Sequence, residues 1–349
     1  MKKIEQYLLE RYPTIWNTRL AKVLSLAFVA HLLFFLLGYL LLTDKSMDYY
    51  FSLGENYNNF VILLNLIIST LLLVGWLIYL FRNNAFQHFY PMKNKQLFGQ
   101  FVLYFIIIFS CISFYIPFIA GEKAKIHWRY TDSYINEVLR HYPENFDTDK
   151  YRNKLSEEER QNYYIATNAH RVKQDSIVKQ KGEEITALVA IAFIASTLLF
   201  TLRISSLRTV LFSIVFAGIV TLLLIFLILL AFSIDQASEY TVLLFLWIAY
   251  LSILFLSIKK HKKKFNKGIL INTALLFFLP VLLVTYNIIE VSKSALYRNE
   301  LATVTNTNIF ESEFYKIKWF IIWGIAITFS FVFVALYTRV VRQWKALPE

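Results

Sequence analysis

The chain has 349 residues, of which 57% are hydrophobic and only 17% charged, and its formal net charge is +12. Soluble domains are usually about 45–50% apolar and about 25% charged, so the composition excludes an ordinary soluble protein and indicates a membrane protein. Cys111 is the only cysteine and lies inside an apolar run. An intramolecular disulfide and a Cys/His zinc pattern are therefore excluded.

Residues 1–22 alternate apolar and charged side chains, which predicts an amphipathic helix in the membrane interface. Apolar runs follow, each about as long as the roughly 20 residues that a helix needs to cross a bilayer. The predicted fold is all-α, a polytopic membrane protein with eight transmembrane helices. The predicted spans are 23–42, 60–81, 99–120, 186–203, 209–233, 241–258, 269–289 and 318–338. Helices 1–3 thus fall in 23–120 and helices 4–8 in 186–338.

Lysine and arginine concentrate in alternate gaps between these runs. The basic gaps are 82–95, 203–208, 259–267 and 339–349, whereas the gaps 43–59, 234–240 and 290–317 are neutral to acidic. Short cytoplasmic loops carry the excess of basic residues in membrane proteins. We therefore expect a multi-pass protein of the cytoplasmic (inner) membrane with both termini in the cytoplasm and 339–349 as a cytoplasmic tail.

The long gap 121–185 is predicted to be a helical, extracytoplasmic segment. Thr131 or Asp132 can cap one helix, and Ser156 with Glu159 has the spacing of a capping box that opens another. The segment is short and poor in aliphatic residues, so we expect it to lack a core of its own. It is predicted to pack on the membrane face or on another protein through five aromatic residues: Trp128, Tyr130, Tyr134, Tyr163 and Tyr164.

The predicted spans carry no charged residue away from their ends, which argues against a transporter driven by protons or sodium. Their polar residues are few. We single out His31, Asn65 and Asn287, and we expect His31 to be hydrogen-bonded to a neighbouring helix, with Asn65 or Asn287 as the partner. The spans hold few glycines and no GxxxG motif, and Pro117 and Pro280 are predicted to kink their helices.

No metal-ligand spacing, catalytic motif or nucleotide-binding motif occurs, so we predict no enzymatic activity, no cofactor and no metal. A stripe typical of nucleic-acid binding is also missing, and we predict no nucleic-acid partner. A lipid-processing enzyme would have only His31 as a candidate residue.

Two basic stretches are candidate contact sites. The gap after the second span presents aromatic beside basic residues, and these are candidate partner contacts, or alternatively members of an interfacial aromatic belt: Phe86, Phe89, Tyr90, Lys93 and Lys95. A second cluster is a candidate patch for anionic lipid or an acidic partner, or otherwise a strong orientation signal: Lys259, Lys260, Lys262, Lys263, Lys264 and Lys267.

The order of an amphipathic N-terminal element, two spans and a short cytoplasmic segment over residues 1–120 resembles the start of ABC-2-type exporter permeases. The resemblance implies that Ile4–Trp16 is the interfacial helix and Asn83–Lys95 the coupling element that docks a separate ATP-binding subunit. Such permeases usually have six spans and not eight. The expected function is a permease-like subunit of a transport complex. The alternative is a non-transporting structural, sensory or assembly protein that acts through 121–185 on an extracytoplasmic protein.

Overall fold

The computed structural model describes residues 18–82, 94–142, 156–205, 207–234 and 265–273, with short helical pieces between 248 and 260. These ranges are mostly helical and contain no strand. The helices are α1 (Leu20–Leu41), α2 (Asn59–Arg82), α3 (Asn94–Ile112), α4 (Tyr115–Arg129), α5 (Asp132–Leu139), α6 (Glu157–Gln174), α7 (Ile177–Ile204) and α8 (Leu207–Ile234). Residues 265–273 are helical as well.

Three of these helices contain stretches that are long and apolar enough to cross a membrane: Leu20–Leu41, Asn59–Leu80 and Glu184–Leu202. They coincide with the first, second and fourth predicted spans. The bent pair α3 and α4 would be a fourth if it is one span. The fifth predicted span, 209–233, lies within α8. The spans predicted at 241–258, 269–289 and 318–338 lie largely or wholly outside the described residues, so the total of eight stays a prediction.

The third predicted span is broken rather than continuous. Helix α3 ends at Ile112, α4 begins at Tyr115, and the two are bent by 51°. Pro117 occupies the first turn of α4, where a backbone N–H has no partner within the helix and its absence costs nothing. The helix then continues to Arg129, well past the predicted end at residue 120.

The described residues fall into two compact units, one within 1–85 and 106–192 and one within 86–105 and 193–349. In the first unit α1 and α4 lie side by side in the same direction and make the most extensive helix contact. Phe34 stacks on Phe114 near one end of this contact, and the Lys125 ammonium donates to the Leu42 carbonyl at the other, 2.6 Å away.

Two glycines allow the backbones of α1 and α4 to approach closely. A Cβ on Gly38 would overlap the Phe118 carbonyl oxygen, and a Cβ on Gly121 would overlap the Phe35 carbonyl oxygen. Each glycine therefore sits against the backbone of the opposite helix. This is the small-residue packing of membrane helices, built here from one glycine on each helix rather than from a GxxxG motif on one.

Beyond α1 the chain folds into a small domain that we call the cap, residues 42–58, 122–142 and 156–175. Its core joins buried apolar side chains of the loop between α1 and α2 to those of α4, α5 and α6. The buried members are Leu42, Met47, Phe51, Leu53, Ile126, Tyr130, Ile135, Ile165, Ala169 and Val172. Four of these ten members belong to the loop 42–58, so the core is shared, which agrees with the expectation that 121–185 has no core of its own.

The second unit is described only in part. Phe101 of α3 packs edge-on against Phe193 and Phe200 of α7, with ring centroids 5.6 and 5.7 Å away. The Asn272 side-chain amide donates to the Ser205 hydroxyl at 3.0 Å. Polar contacts of this kind join membrane helices where no water competes.

Candidate functional site

Helix α6 holds the loop 42–58 by its backbone. Three side chains of α6 donate hydrogen bonds to backbone carbonyl oxygens of the loop. These contacts therefore depend on the backbone conformation of the loop and not on its side chains. The pairs are Gln161 to Asp44 (2.7 Å), Asn168 to Asp48 (2.6 Å) and Arg171 to Phe51. Each such bond contributes about 1 kcal/mol net. Together they leave the loop little freedom.

A capping box in the local sequence fixes where α6 begins. The Ser156 hydroxyl accepts from the Glu159 N–H and the Glu159 carboxylate accepts from the Ser156 N–H, which confirms the predicted capping box. These hydrogen bonds hold the pKa of the Glu159 carboxyl below its usual range. Thr131 caps α5 as predicted, because its hydroxyl accepts from the Tyr134 N–H.

Charged groups tie the first turn of the loop to the end of α4. The Arg129 guanidinium lies 2.6 Å from the Asp44 carboxylate, and the Tyr130 hydroxyl donates to the same carboxylate. Burial, and then this contact with Asp44, raise the pKa of the Tyr130 phenol. Asp132 pairs with Lys173 at 2.7 Å, and this ammonium holds the pKa of the Asp132 carboxyl below its usual range.

Glu122 is the one fully buried acidic side chain among the described residues. Its two carboxylate oxygens accept from the Gly54 N–H (2.6 Å) and from the Asn56 side-chain amide (2.8 Å). Gly54 has a φ of 88°, a conformation that favours glycine, and a Cβ there would also meet the Tyr115 hydroxyl. Burying a carboxylate is costly unless it is hydrogen-bonded, so these two donors are required.

Five tyrosines form a continuous row over the cap surface, which we call the tyrosine row: Tyr50, Tyr49, Tyr164, Tyr163 and Tyr142. Successive ring centroids are 4.8, 5.6, 6.2 and 4.8 Å apart, and each ring meets the next at a steep angle. Tyr50 is 81% exposed and Tyr49 53% exposed, whereas the other three are half-buried. The row is therefore a continuous aromatic surface that joins the loop 42–58 to α6.

A carboxylate stands at each end of the tyrosine row. The Asp48 carboxylate accepts from the Tyr50 N–H at 3.1 Å, and its residue is exposed. At the other end Glu159 precedes Tyr163 by one turn of α6. Burial, and then the charge of the Glu159 carboxylate, raise the pKa of the Tyr142 phenol. Aromatic faces flanked by carboxylates suit a cationic ligand group, because both attract positive charge.

The aromatic residues that we expected to contact a membrane or a partner lie in different environments. Tyr130 is buried in the cap core, Tyr134 stacks near it with ring centroids 5.9 Å apart, and Tyr163 and Tyr164 belong to the tyrosine row. Trp128 is 83% exposed. The sequence did not single out Tyr49 and Tyr50, the most exposed members of the row.

His31 has a partner other than the predicted ones. Its Nδ1 lies 2.7 Å from the Ala27 carbonyl oxygen and its Nε2 3.3 Å from the Ser113 hydroxyl at the break between α3 and α4. The ring also packs edge-on against Phe114. Asn65 instead accepts from the Ser69 hydroxyl and donates to the Tyr57 hydroxyl. His31 therefore contacts the neighbouring helix at its break.

Several predicted site residues lie outside the described residues: Phe86, Phe89, Tyr90, Lys93, Lys259, Lys262, Lys263, Lys264, Pro280 and Asn287. Lys95 lies in the first turn of α3, although its side chain is not described, and Lys260 is exposed while Lys267 is half-buried. Within the described ranges, no group of three or more His, Cys, Asp or Glu side chains could hold a metal ion.

The fold and the site define an all-helical protein with several helices capable of crossing a membrane and a compact cap beside them. No protein-family profile, curated protein or solved structure matches the chain.

Proposed function

We propose that this protein is a membrane-anchored docking subunit whose cap binds an extracytoplasmic partner protein through the tyrosine row. The spans hold the cap in place, both termini are cytoplasmic and the cap faces the opposite side. The observation that carries the proposal is the row of edge-to-face tyrosines, whose members lie on α6, just after α5 and on the loop 42–58 that α6 holds by its backbone. Tyrosine is enriched in protein interfaces because it offers a large contact area at low entropic cost.

The chemistry of the row favours a basic segment of the partner. A lysine or arginine side chain can lie over a tyrosine face and reach the carboxylate of Asp48 or Glu159. Because the cap is already ordered, binding costs little conformational entropy in this chain. The proposed role is therefore recognition, with no chemical step.

The experiment is site-specific photocrosslinking in the native host. A photoreactive phenylalanine analogue replaces Tyr50 in the row or, as the matched control, Trp128, which is equally exposed on α4. We expect one crosslinked product of defined mass from position 50 and none of that mass from position 128. The product should disappear when Asp48→Asn and Glu159→Gln are combined in the same chain.

Two results would contradict the proposal. One is the same product from positions 50 and 128, and the other is no product from positions 49, 50 and 164 in a chain that is inserted normally. Point variants are preferable to deletion of about 125–180, because that deletion would also unfold the loop 42–58, whose core partners it removes.

A second candidate function is the permease-like subunit of a transport complex with a separate ATP-binding partner. The observation that favours it is the antiparallel arrangement of α1 and α2. The Trp76 indole N–H donates to the Thr18 carbonyl at 2.9 Å, so the chain enters α1 and leaves α2 at the same end of the pair. In ABC-2-type exporter permeases, which the chain resembles over residues 1–120, the interfacial helix and the coupling segment lie on the same face of the membrane.

Purification from the host in mild detergent separates the two candidates. A transport subunit should bring down an ATP-binding protein in stoichiometric amount, and Phe86→Ala with Phe89→Ala should release it. Retention of that protein by the double variant would argue against the coupling segment. Isolation of the chain without any ATP-binding protein would argue against the transport complex as a whole.

A further inference from the structure

A pocket of about 220 Å³ lies between the start of α1 and the end of α2, away from the cap. Its floor is apolar and includes Val23 and Leu72. Leu26 and Leu71 flank it and are largely exposed, so it opens sideways on the surface that would face lipid. The pocket is smaller than the roughly 300–1,000 Å³ of sites that enclose a whole small molecule. It suits part of a longer apolar chain.

Gly75 creates the space. It lines the pocket, and a Cβ added to it would meet nothing within 4 Å. Beside it Trp76 is almost fully buried and its indole N–H is bonded to the Thr18 carbonyl, so the wall is fixed. The absence of a side chain at Gly75 and the fixed Trp76 ring therefore define one side of the pocket.

Two cations line the same pocket. The Arg19 guanidinium lies 5.2 Å from the centroid of the Tyr79 ring, which positions it, and Lys22 is exposed one helical turn further on. An apolar floor with cations beside it matches a molecule that has an anionic head and a hydrocarbon tail. Near a membrane surface basic residues attract anionic lipid headgroups.

We propose that this pocket binds one anionic phospholipid of the cytoplasmic leaflet. Its phosphate lies between Arg19 and Lys22, and one acyl chain runs over Gly75 between Leu26 and Leu71. The site requires that α1 and α2 cross a membrane with the chain's N-terminus in the cytoplasm. It does not depend on what the cap binds. Failure of the crosslinking experiment would therefore leave the lipid proposal intact, and failure of the lipid experiment would leave the proposed function intact.

The test is native mass spectrometry of the full chain, released from nanodiscs that contain phosphatidylglycerol and phosphatidylcholine with the same acyl chains. We expect preferential retention of one phosphatidylglycerol. Lys22→Gln and Arg19→Gln should each weaken retention about fivefold, whereas Lys45→Gln, which removes an exposed lysine from the loop between α1 and α2, should not. Excess inorganic phosphate should not displace the lipid, since the acyl chain contributes to binding.

The pocket itself is tested by filling it. Gly75→Leu should abolish preferential retention, and Gly218→Leu, at a glycine of α8 whose added Cβ also meets nothing within 4 Å, should leave it unchanged. Gly75→Ala serves as a milder variant if the leucine impairs folding, as judged by size-exclusion chromatography. Equal retention of the two lipids by the natural chain, or unchanged retention by folded Gly75 variants, would overturn the proposal.

Discussion

The contact between α1 and α4 is sensitive to a single methyl group. In Gly38→Ala the new Cβ would overlap the Phe118 carbonyl oxygen, and in Gly121→Ala it would overlap the Phe35 carbonyl oxygen. Ordinary contacts between carbon and a carbonyl oxygen are about 3.3–3.6 Å. Because the obstacle is helical backbone and not a side chain that can rotate, the two helices must move apart by about 1 Å.

The free energy follows from two opposed effects. A gap of about 0.5–1 Å forfeits a quarter to a half of the dispersion energy of the atoms involved, and overpacking costs about 1–3 kcal/mol. Alanine recovers up to about 1 kcal/mol of helix propensity relative to glycine. With rigid backbone on both sides the cost should lie near its upper limit. We expect each variant to lose about 2 kcal/mol.

The assay is thermal unfolding of the purified full chain in detergent, followed by loss of the monodisperse peak in size-exclusion chromatography. For a folded unit of about 150–250 residues, 1 kcal/mol corresponds to about 2–4 °C, so the apparent Tm should fall by roughly 4–8 °C. Gly75→Ala is the matched control in the same unit, because its Cβ meets nothing, and its Tm should stay constant or rise.

The double variant sharpens the prediction. Once one methyl group has separated α1 from α4, the second finds more room, so Gly38→Ala with Gly121→Ala should cost less than the sum of the single variants. If Gly38→Ala is as stable as Gly75→Ala, the close approach of the two backbones is refuted.

Three further predictions concern the cap. Glu122→Gln keeps an acceptor for one of its two donors and should cost about 1–3 kcal/mol for the other, whereas Glu122→Leu leaves both the Gly54 N–H and the Asn56 amide unpaired and should cost about twice as much. Limited proteolysis of the loop 42–58 measures the difference, and equal protease resistance of the two variants would contradict it. Ser156→Ala should cost about 1 kcal/mol by removing the N-cap residue of α6. Amide hydrogen exchange should become faster in the first turn of α6 and stay the same in α1, and unchanged exchange in that first turn would count against the capping box. The pKa of Asp132 is lowered by Lys173, so the contribution of this pair is complete above the unfolded pKa of about 3.9 and is lost only as the pH falls through the lower folded value. The difference in cap exchange rates between the natural chain and Lys173→Met should therefore be the same at pH 7 and pH 5, which cancels any other group that titrates in this range. A difference that disappears at pH 5 would refute the assignment.

Local patterns in the sequence predict some of this structure well. Helices α1 and α2 are uninterrupted apolar runs, and the capping box of Ser156 is complete within four residues, so neither needs information from elsewhere in the chain. The break before Tyr115 is harder to place. Pro117 marks its neighbourhood, but the helix ends where Ser113 meets His31 of another helix, a contact between residues 82 apart.

The core of the cap depends on contacts that no local pattern reveals. Glu122 accepts a hydrogen bond from Asn56, which is 66 residues away in the sequence. The two glycines of the α1–α4 contact lie on different helices. A signal for Glu122 is nonetheless present, because Phe118, Ile119 and Ile126 share its helical face and are all buried. An acidic residue in the middle of an apolar stripe predicts a buried carboxylate with donors from another segment.

The clamp on the loop 42–58 also sets the order in which the protein can be completed during synthesis. Gln161 and Arg171 follow the carbonyls that they bind by 117 and 120 residues. At about 5–20 residues per second, the ribosome makes α6 roughly 6–24 s after that loop. During this interval Met47 and Phe51 have no complete core to enter. Helix α6 thus completes the cap during synthesis, and a nascent chain that stops before residue 157 leaves an exposed apolar loop for quality-control proteases.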